Sequence, residues 1–189
     1  SVFNVLNPDF VERREVSLNQ TILLEDKNKN STGIEVEVFP VPGKVALFLE
    51  DKTKGNNFGT NAEDTIGLKI IDTKTKKYFF YIPGCADMTD NLKNRLKGAP
   101  LVFFDGTLWK DDEMLTAKVG VKKTGQRMGH MSMSGNKGSI EMFKDLNVKK
   151  KIFIHINTTN PALLEDSLER KKANEEGWEV SYDGMEVNL

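Results

Sequence analysis

Residues 33–39 (Gly-Ile-Glu-Val-Glu-Val-Phe) alternate between apolar and polar, which predicts a half-buried strand with Ile34, Val36 and Val38 on one face and the glutamates on the other. Pro40 and Pro42 end it. Upstream, residues 21–24 (Thr-Ile-Leu-Leu) read as a short strand and residues 26–33 as an exposed turn. Val2, Phe3, Val5 and Leu6 predict an element packed against something, and residues 45–49 a further strand. Residues 50–64 form a polar, glycine-containing loop whose length in a compact domain points to function or mobility. Strands over 65–71 and 78–82 follow, joined by a polar loop that fits an antiparallel hairpin. Pro83-Gly84 marks a sharp exit.

The second half alternates strands with helices. Thr89 is placed to cap a short helix through Leu92 and Leu96 to Gly98. A strand over 101–107 comes next, and residues 110–138, with few apolar residues, read mostly as loop. A short helix over 139–146 precedes a strand over 151–157. Ser167 is placed to cap a helix to about Glu176, with Gly177 as its stop. Residues 178–182 and 185–189 flank Asp183-Gly184, the strongest short hairpin signal in the chain. This order predicts an α/β (α+β) architecture in one domain, or part of one.

Two of these strands end in polar residues that packing alone would not choose. Leu101-Val102-Phe103-Phe104 delivers Asp105, followed by Gly106-Thr107, and Ile152-Phe153-Ile154 delivers His155. Either group, buried without a partner, costs several kcal/mol, so each needs a hydrogen bond, a counter-charge or a metal. Asp105 fits a ligand site at the carboxyl edge of a sheet, or a cap on the next turn. A lone histidine on an apolar strand is more often a satisfied core residue, but the polar sequel Asn157-Thr158-Thr159-Asn160-Pro161 could orient His155 as a site residue. The other histidine, His130, lies in a glycine-flanked loop with Lys122, Lys123 and Arg127 nearby, suited to anion binding or acid–base work, or to no role. Asp111, Asp112 and Glu113 fit a helical cap better than a cation site, and Trp109 and Trp178 fit packing.

Composition narrows the classes. The 189 residues include 38% hydrophobic and 29% charged residues with a net charge of −1, which fits a soluble domain and predicts no nucleic-acid partner. No apolar run approaches the roughly 18 residues of a membrane helix, so no membrane partner is expected. The single cysteine, Cys85, excludes an internal disulfide and favours a reducing, cytoplasmic setting. Dinucleotide, P-loop, nucleophile-elbow, HExxH and paired CxxC motifs are absent.

Several longer stretches are distinctive together: Val102-Phe103-Phe104-Asp105-Gly106-Thr107-Leu108-Trp109, Gly125-Gln126-Arg127-Met128-Gly129-His130-Met131, and Ile154-His155-Ile156-Asn157 with Asn160-Pro161. They closely resemble the C-terminal portion of the pyrroloquinoline quinone (PQQ) biosynthesis B family, within the metallo-β-lactamase superfamily. The resemblance covers nearly all of residues 1–189. It implies part of a four-layer αββα sandwich, with mixed sheets flanked by helices and a metal site at the sheet edge. On it, Asp105 and His155 match metal ligands, with iron or zinc as the ion, and His130 matches a catalytic acid–base position. Thr107, Lys123, Arg127, Asn157 and Asn160 are the expected substrate contacts. The implied activity is a metal-dependent oxidation that hydroxylates the tyrosine-derived PQQ precursor; a carrier for PQQ or its precursor and a metal-dependent hydrolase are the alternatives. The family's Asp-His motif and cysteine cluster have no counterpart in these residues, so the chain reads as beginning mid-protein. The expectations that follow are an incomplete metal site of two ligands, little activity in isolation, and an uncovered sheet face that favours a homodimer.

Overall fold

Seven strands line up in sequence order, β1 (Thr21–Glu25), β2 (Ser31–Pro40), β3 (Ile66–Asp72), β4 (Tyr78–Ile82), β5 (Leu101–Asp105), β6 (Lys150–Ile154) and β7 (Trp178–Val180). This computed structural model describes residues 5–118 and 122–189, so the expectation for Val2 and Phe3 lies outside the described residues. β1 to β4 form an antiparallel meander. From β4 onward the pairs are parallel, so their connections must cross over one face of the sheet. The crossovers carry α1 (Asp90–Leu96), then α2 (Glu113–Ala117), α3 (Gly125–Met128) and α4 (Ser139–Met142), and finally α5 (Leu168–Glu175).

The local signals explain most of these elements. Thr89 accepts from the Leu92 N–H and Ser167 from the Arg170 N–H, so both predicted caps form. Leu92 and Leu96, one turn apart, drop from α1 onto a face built by Phe39, Phe80, Ile82, Val102, Phe104 and Phe153. Phe143 and Trp178 complete that core, with Trp178 stacked on Phe153 at 3.9 Å and 11°. Truncating any of these fully buried aromatics to alanine costs about 3–5 kcal/mol.

The opposite face is less covered. The alternation in β2 is present, but Ile34, Val36 and Val38 point away from the helices, while Glu37 lies on the helix side and pairs with Arg95 of α1 at 2.5 Å. Ile34, Ile66 and Tyr81 on that opposite face keep 40%, 39% and 39% of their surface exposed.

Five local expectations are corrected. Residues 45–49 do not form a strand: Leu47–Leu49 is a 3-10 turn with Phe48 and Leu49 exposed. The 110–138 region holds α2 and α3 besides its loops. The 139–146 helix splits into α4 and a 3-10 turn, Lys144–Leu146, ended by Asn147 in the left-handed conformation. The closing hairpin is absent: Asp183-Gly184 makes its turn (Met185 N–H to the Tyr182 carbonyl, 3.1 Å), yet no strand follows it among the described residues. The tail leads instead toward the start of β4, where Lys77 donates to the Leu189 carbonyl. Turn chemistry is local, whereas a ladder needs a partner strand at the right register. Val5 is 82% exposed, so the expected packing of the leading segment is not made there.

Candidate metal centre

Parallel strands end together, and that is how the site is assembled. Cys85 follows the exit of β4, Asp105 ends β5 and His155 follows β6, all at one edge of three neighbouring strands. Gly106 lets β5 and β6 approach there: a Cβ on it would sit 2.9 Å from the Phe153 Cβ and 3.2 Å from the Ile154 carbonyl oxygen. That carbonyl accepts from the Gly106 N–H at 2.8 Å. His130 comes from the β5–β6 crossover. Thr124 caps α3, Gly129 ends it at φ 91°, and the Met131 N–H donates to the Cys85 carbonyl at 2.7 Å. The glycine is needed because that φ is strained for any side chain.

Asp105 is fully buried. Its Oδ2 accepts from the Cys85 N–H at 2.9 Å and lies 2.7 Å from His130 Nδ1. Its Oδ1 accepts from the Thr107 N–H at 3.0 Å and from the Thr107 hydroxyl at 2.6 Å. Each carboxylate oxygen thus has two close polar neighbours. His155 Nδ1 stands 3.9 Å from Oδ1, too far for a hydrogen bond but near enough for charge attraction. The two imidazoles stack at 5.3 Å with 30° between their planes. Burial pushes the Asp105 carboxyl up, but its interactions with His130 and His155 outweigh that and hold it below the ordinary carboxylate range. The same carboxylate raises His155, against a smaller lowering by burial. Burial pushes the Cys85 thiol up to about 12, so it stays protonated.

One carboxylate oxygen and two imidazole nitrogens, all within 4.8 Å of one another, are a donor set that suits zinc or iron. The expected pair, Asp105 and His155, thus becomes a group of three, with His130 as near to Asp105 as a ligand would be. Three protein donors with an open position is the usual count of a catalytic metal site.

Arg127, Asn157 and Asn160 each have partners of their own. Arg127 makes a two-pronged ion pair with Glu50 at 2.6 and 2.7 Å and lies over the Phe58 ring at 4.1 Å. Lys44 covers the same ring at 3.9 Å and donates to the Arg127 carbonyl. Lys123 adds its charge to this group. The Arg127 guanidinium holds Glu50 down to about 2. Asn157 donates from its side chain to Thr159 and from its backbone to the Thr107 carbonyl. Asn160, expected to contact substrate, is 2% exposed and tied to the Gly106 carbonyl, Met133 Sδ and the Ala162 N–H, so it fastens the loop. Asp111 and Glu113 accept from the backbone at Gln126 and Trp109, the structural alternative for that acidic run. Sequence reasoning missed Glu50, Phe58 and the Cys85 backbone; only the Pro83-Gly84 exit hinted at the last.

Comparison with known proteins identifies the superfamily. A β-lactamase superfamily domain matches residues 1–156, more than half of the chain. The chain belongs to that superfamily. Coenzyme PQQ synthesis protein B of Xanthomonas oryzae pv. oryzae (strain MAFF 311018) is 48% identical over 188 residues, covering 100% of this chain and 59% of the relative. The protein of the same description from Gluconacetobacter diazotrophicus is 50% identical over 186 residues, 98% of this chain and 59% of its own length. Among solved structures, zinc-bound PqqB from Methylobacterium extorquens superposes with a TM-score of 0.87 at 43% identity, over 100% of this chain and 59% of that one. The metallo-β-lactamase fold protein YhfI from Bacillus subtilis, 11% identical, shares the fold at a TM-score of 0.56 over 91% of this chain and 54% of that one. The chain spans 59% of the length of the PQQ synthesis relatives it matches. The resemblance carried by the motifs is met by these relatives. No helix among the described residues is long and apolar enough to cross a membrane.

Proposed function

We propose that this chain carries part of the metal centre of an enzyme of PQQ biosynthesis. Asp105 and His155 supply an oxygen and a nitrogen donor to a single ion, and His130 stands beside them as a third donor or as the group that moves a proton. The observation carrying this reading is the convergence of these three residues at one strand edge, in a chain 48–50% identical to PQQ synthesis B proteins. The proposed reaction is hydroxylation of the tyrosine-derived PQQ precursor in the cytoplasm. Iron, when bound, would supply the redox chemistry for dioxygen that no side chain here offers.

The chain's own residues set the surroundings. The buried Asp105 carboxylate stays ionised, so an adjacent positive charge is matched in the interior. His130, hydrogen-bonded to Asp105, keeps its second ring nitrogen for proton transfer. A cavity of about 490 Å³, bounded in part by Trp109, Glu113, Thr159 and Pro161, shares the 157–161 loop with the site and has the size of a small-molecule pocket.

Metal analysis joined to oxygen-consumption assays with the tyrosine-derived precursor tests this. Bound iron and precursor-dependent oxygen uptake are expected; no redox metal and no uptake would sink the oxygenase reading. His130→Gln separates its two roles, since a third donor loses the ion whereas a proton carrier keeps the ion and loses turnover. The zinc-bound state of the Methylobacterium relative supports a second reading, a metal-dependent hydrolase acting through activated water. In the carrier alternative Lys122 and Lys123 would meet the precursor's carboxylates, since Arg127 is paired with Glu50.

A further inference from the structure

Thr107 was expected to touch substrate, yet its residue is 8% exposed and its hydroxyl oxygen has four polar neighbours inside the protein. They are Asp105 Oδ1 at 2.6 Å, His155 Nδ1 at 2.9 Å, His130 Nδ1 at 3.1 Å and the His155 carbonyl at 3.1 Å. A hydroxyl has one proton and two lone pairs. The shortest contact goes to an ionised oxygen, and charge-assisted bonds are the stronger ones, so the proton points to Asp105. Towards the imidazoles Thr107 is then left only as an acceptor.

The two histidines differ in what else could orient them. His130 Nδ1 lies 2.7 Å from Asp105 Oδ2, so the carboxylate by itself fixes a proton on that nitrogen. His155 Nδ1 is 3.9 Å from the carboxylate and 2.9 Å from Thr107. His155 also sits in the left-handed backbone region at φ 53°, a costly conformation for a residue with a side chain. The Asn157 N–H to Thr107 carbonyl bond, 3.0 Å, holds the chain just after it.

We propose that Thr107 is the positioning residue of His155: its hydroxyl, oriented by Asp105, keeps the His155 proton on Nδ1 and leaves Nε2 as a bare nitrogen donor. For the metal, this deepens the reading of His155 as a ligand and rests on it; the tautomer itself does not. Partners of this kind typically change metal affinity by about 10–100-fold when removed.

The test compares wild type, Thr107→Val and Thr107→Ser. Nitrogen–proton correlation spectra of the metal-free proteins, at a pH above the imidazole range, report the tautomer of each ring, and competition with a chromophoric chelator reports zinc affinity. In wild type both rings carry the proton on Nδ1. Thr107→Val removes that signature from His155, leaves His130 unchanged and weakens zinc about 10–100-fold, while Thr107→Ser restores both readouts. His155 protonated on Nε2 in wild type overturns the proposal, a result that needs no variant to fold. So does a folded Thr107→Val protein with wild-type spectra and zinc affinity. Wild type that binds no zinc yet shows the expected tautomers rejects the metal reading and keeps Thr107 as the positioning residue.

Discussion

Two charged clusters are built from residues far apart in sequence, and they leave their charges in different states. Around Glu50 the carboxylate is answered by permanent cations: Arg127 grips it with both prongs, Lys44 stands 3.8 Å away, and Phe58 lies beneath Arg127 and Lys44. Around Asp105 the partners found among the described residues are neutral donors and imidazoles. A fully buried carboxylate is held by two backbone N–H groups, a hydroxyl and an imidazole. The first arrangement closes a long loop against α3. The second keeps an interior negative charge beside imidazole nitrogens, which is what a cation binds to. The tethering carboxylate is met by permanent cations, whereas the one at the strand edge is met by neutral donors and imidazoles.

The sharpest way to break that contrast is Asp105→Ala. It strips the acceptor from two buried backbone N–H groups and a hydroxyl, and unfolding in urea should show a loss of about 3–5 kcal/mol. A variant as stable as wild type would place Asp105 among ordinary strand ends. Next comes the ion. His155→Ala should lower zinc affinity by at least about tenfold, whereas Arg127→Gln should leave it nearly unchanged in the same titration. Equal losses would merge the two clusters into one site.

Acidity separates them further. Asp105 is depressed, so its contribution is complete above the ordinary carboxylate range and is lost as pH falls through its lower folded value. His155 is raised from 6.5, so its contribution is complete below about 6.5 and disappears as pH rises through its higher folded value. The metal-free protein should therefore lose stability on both flanks, and Asp105→Asn should abolish the alkaline flank. Glu50 acts on the acid side alone, its contribution vanishing as pH falls from 4.5 to about 2. The smallest effect is expected from Glu50→Gln: faster proteolytic nicking in the loop that contains Leu47–Leu49, with zinc affinity unaltered.

How much of this was legible beforehand differs by residue. Asp105 and His155 stood out because each ends an apolar run, a one-dimensional signal that survives without the fold. The caps at Thr89 and Ser167 were legible for the same reason, since a cap needs only its own first turn. His130 was visible as a residue but not as a neighbour of Asp105. Its approach depends on the Met131–Cys85 backbone bond, which joins two crossovers. Where Arg127 and Asn160 point was not legible, because polarity near a motif does not say which way a side chain turns. Asn160 turned inward to fasten a loop, and Arg127 found a carboxylate in a loop 77 positions away. The Asp183-Gly184 turn formed without its hairpin, since the partner strand is a property of the sheet and not of the dipeptide.

Sequence alone determined the elements whose causes are local: alternation in β2, the capped helices, and the strands that deliver Asp105 and His155 to their ends. It also carried the family, through motifs that span most of the chain. The tertiary structure decided which polar groups meet. Parallel pairing of β4, β5 and β6 brings three strand ends to one edge, places Thr107 between Asp105 and His155, and turns Arg127 away to Glu50. Periodicity records which face a residue occupies, but a hydrogen bond between residues 48 positions apart exists only once the sheet has set their register.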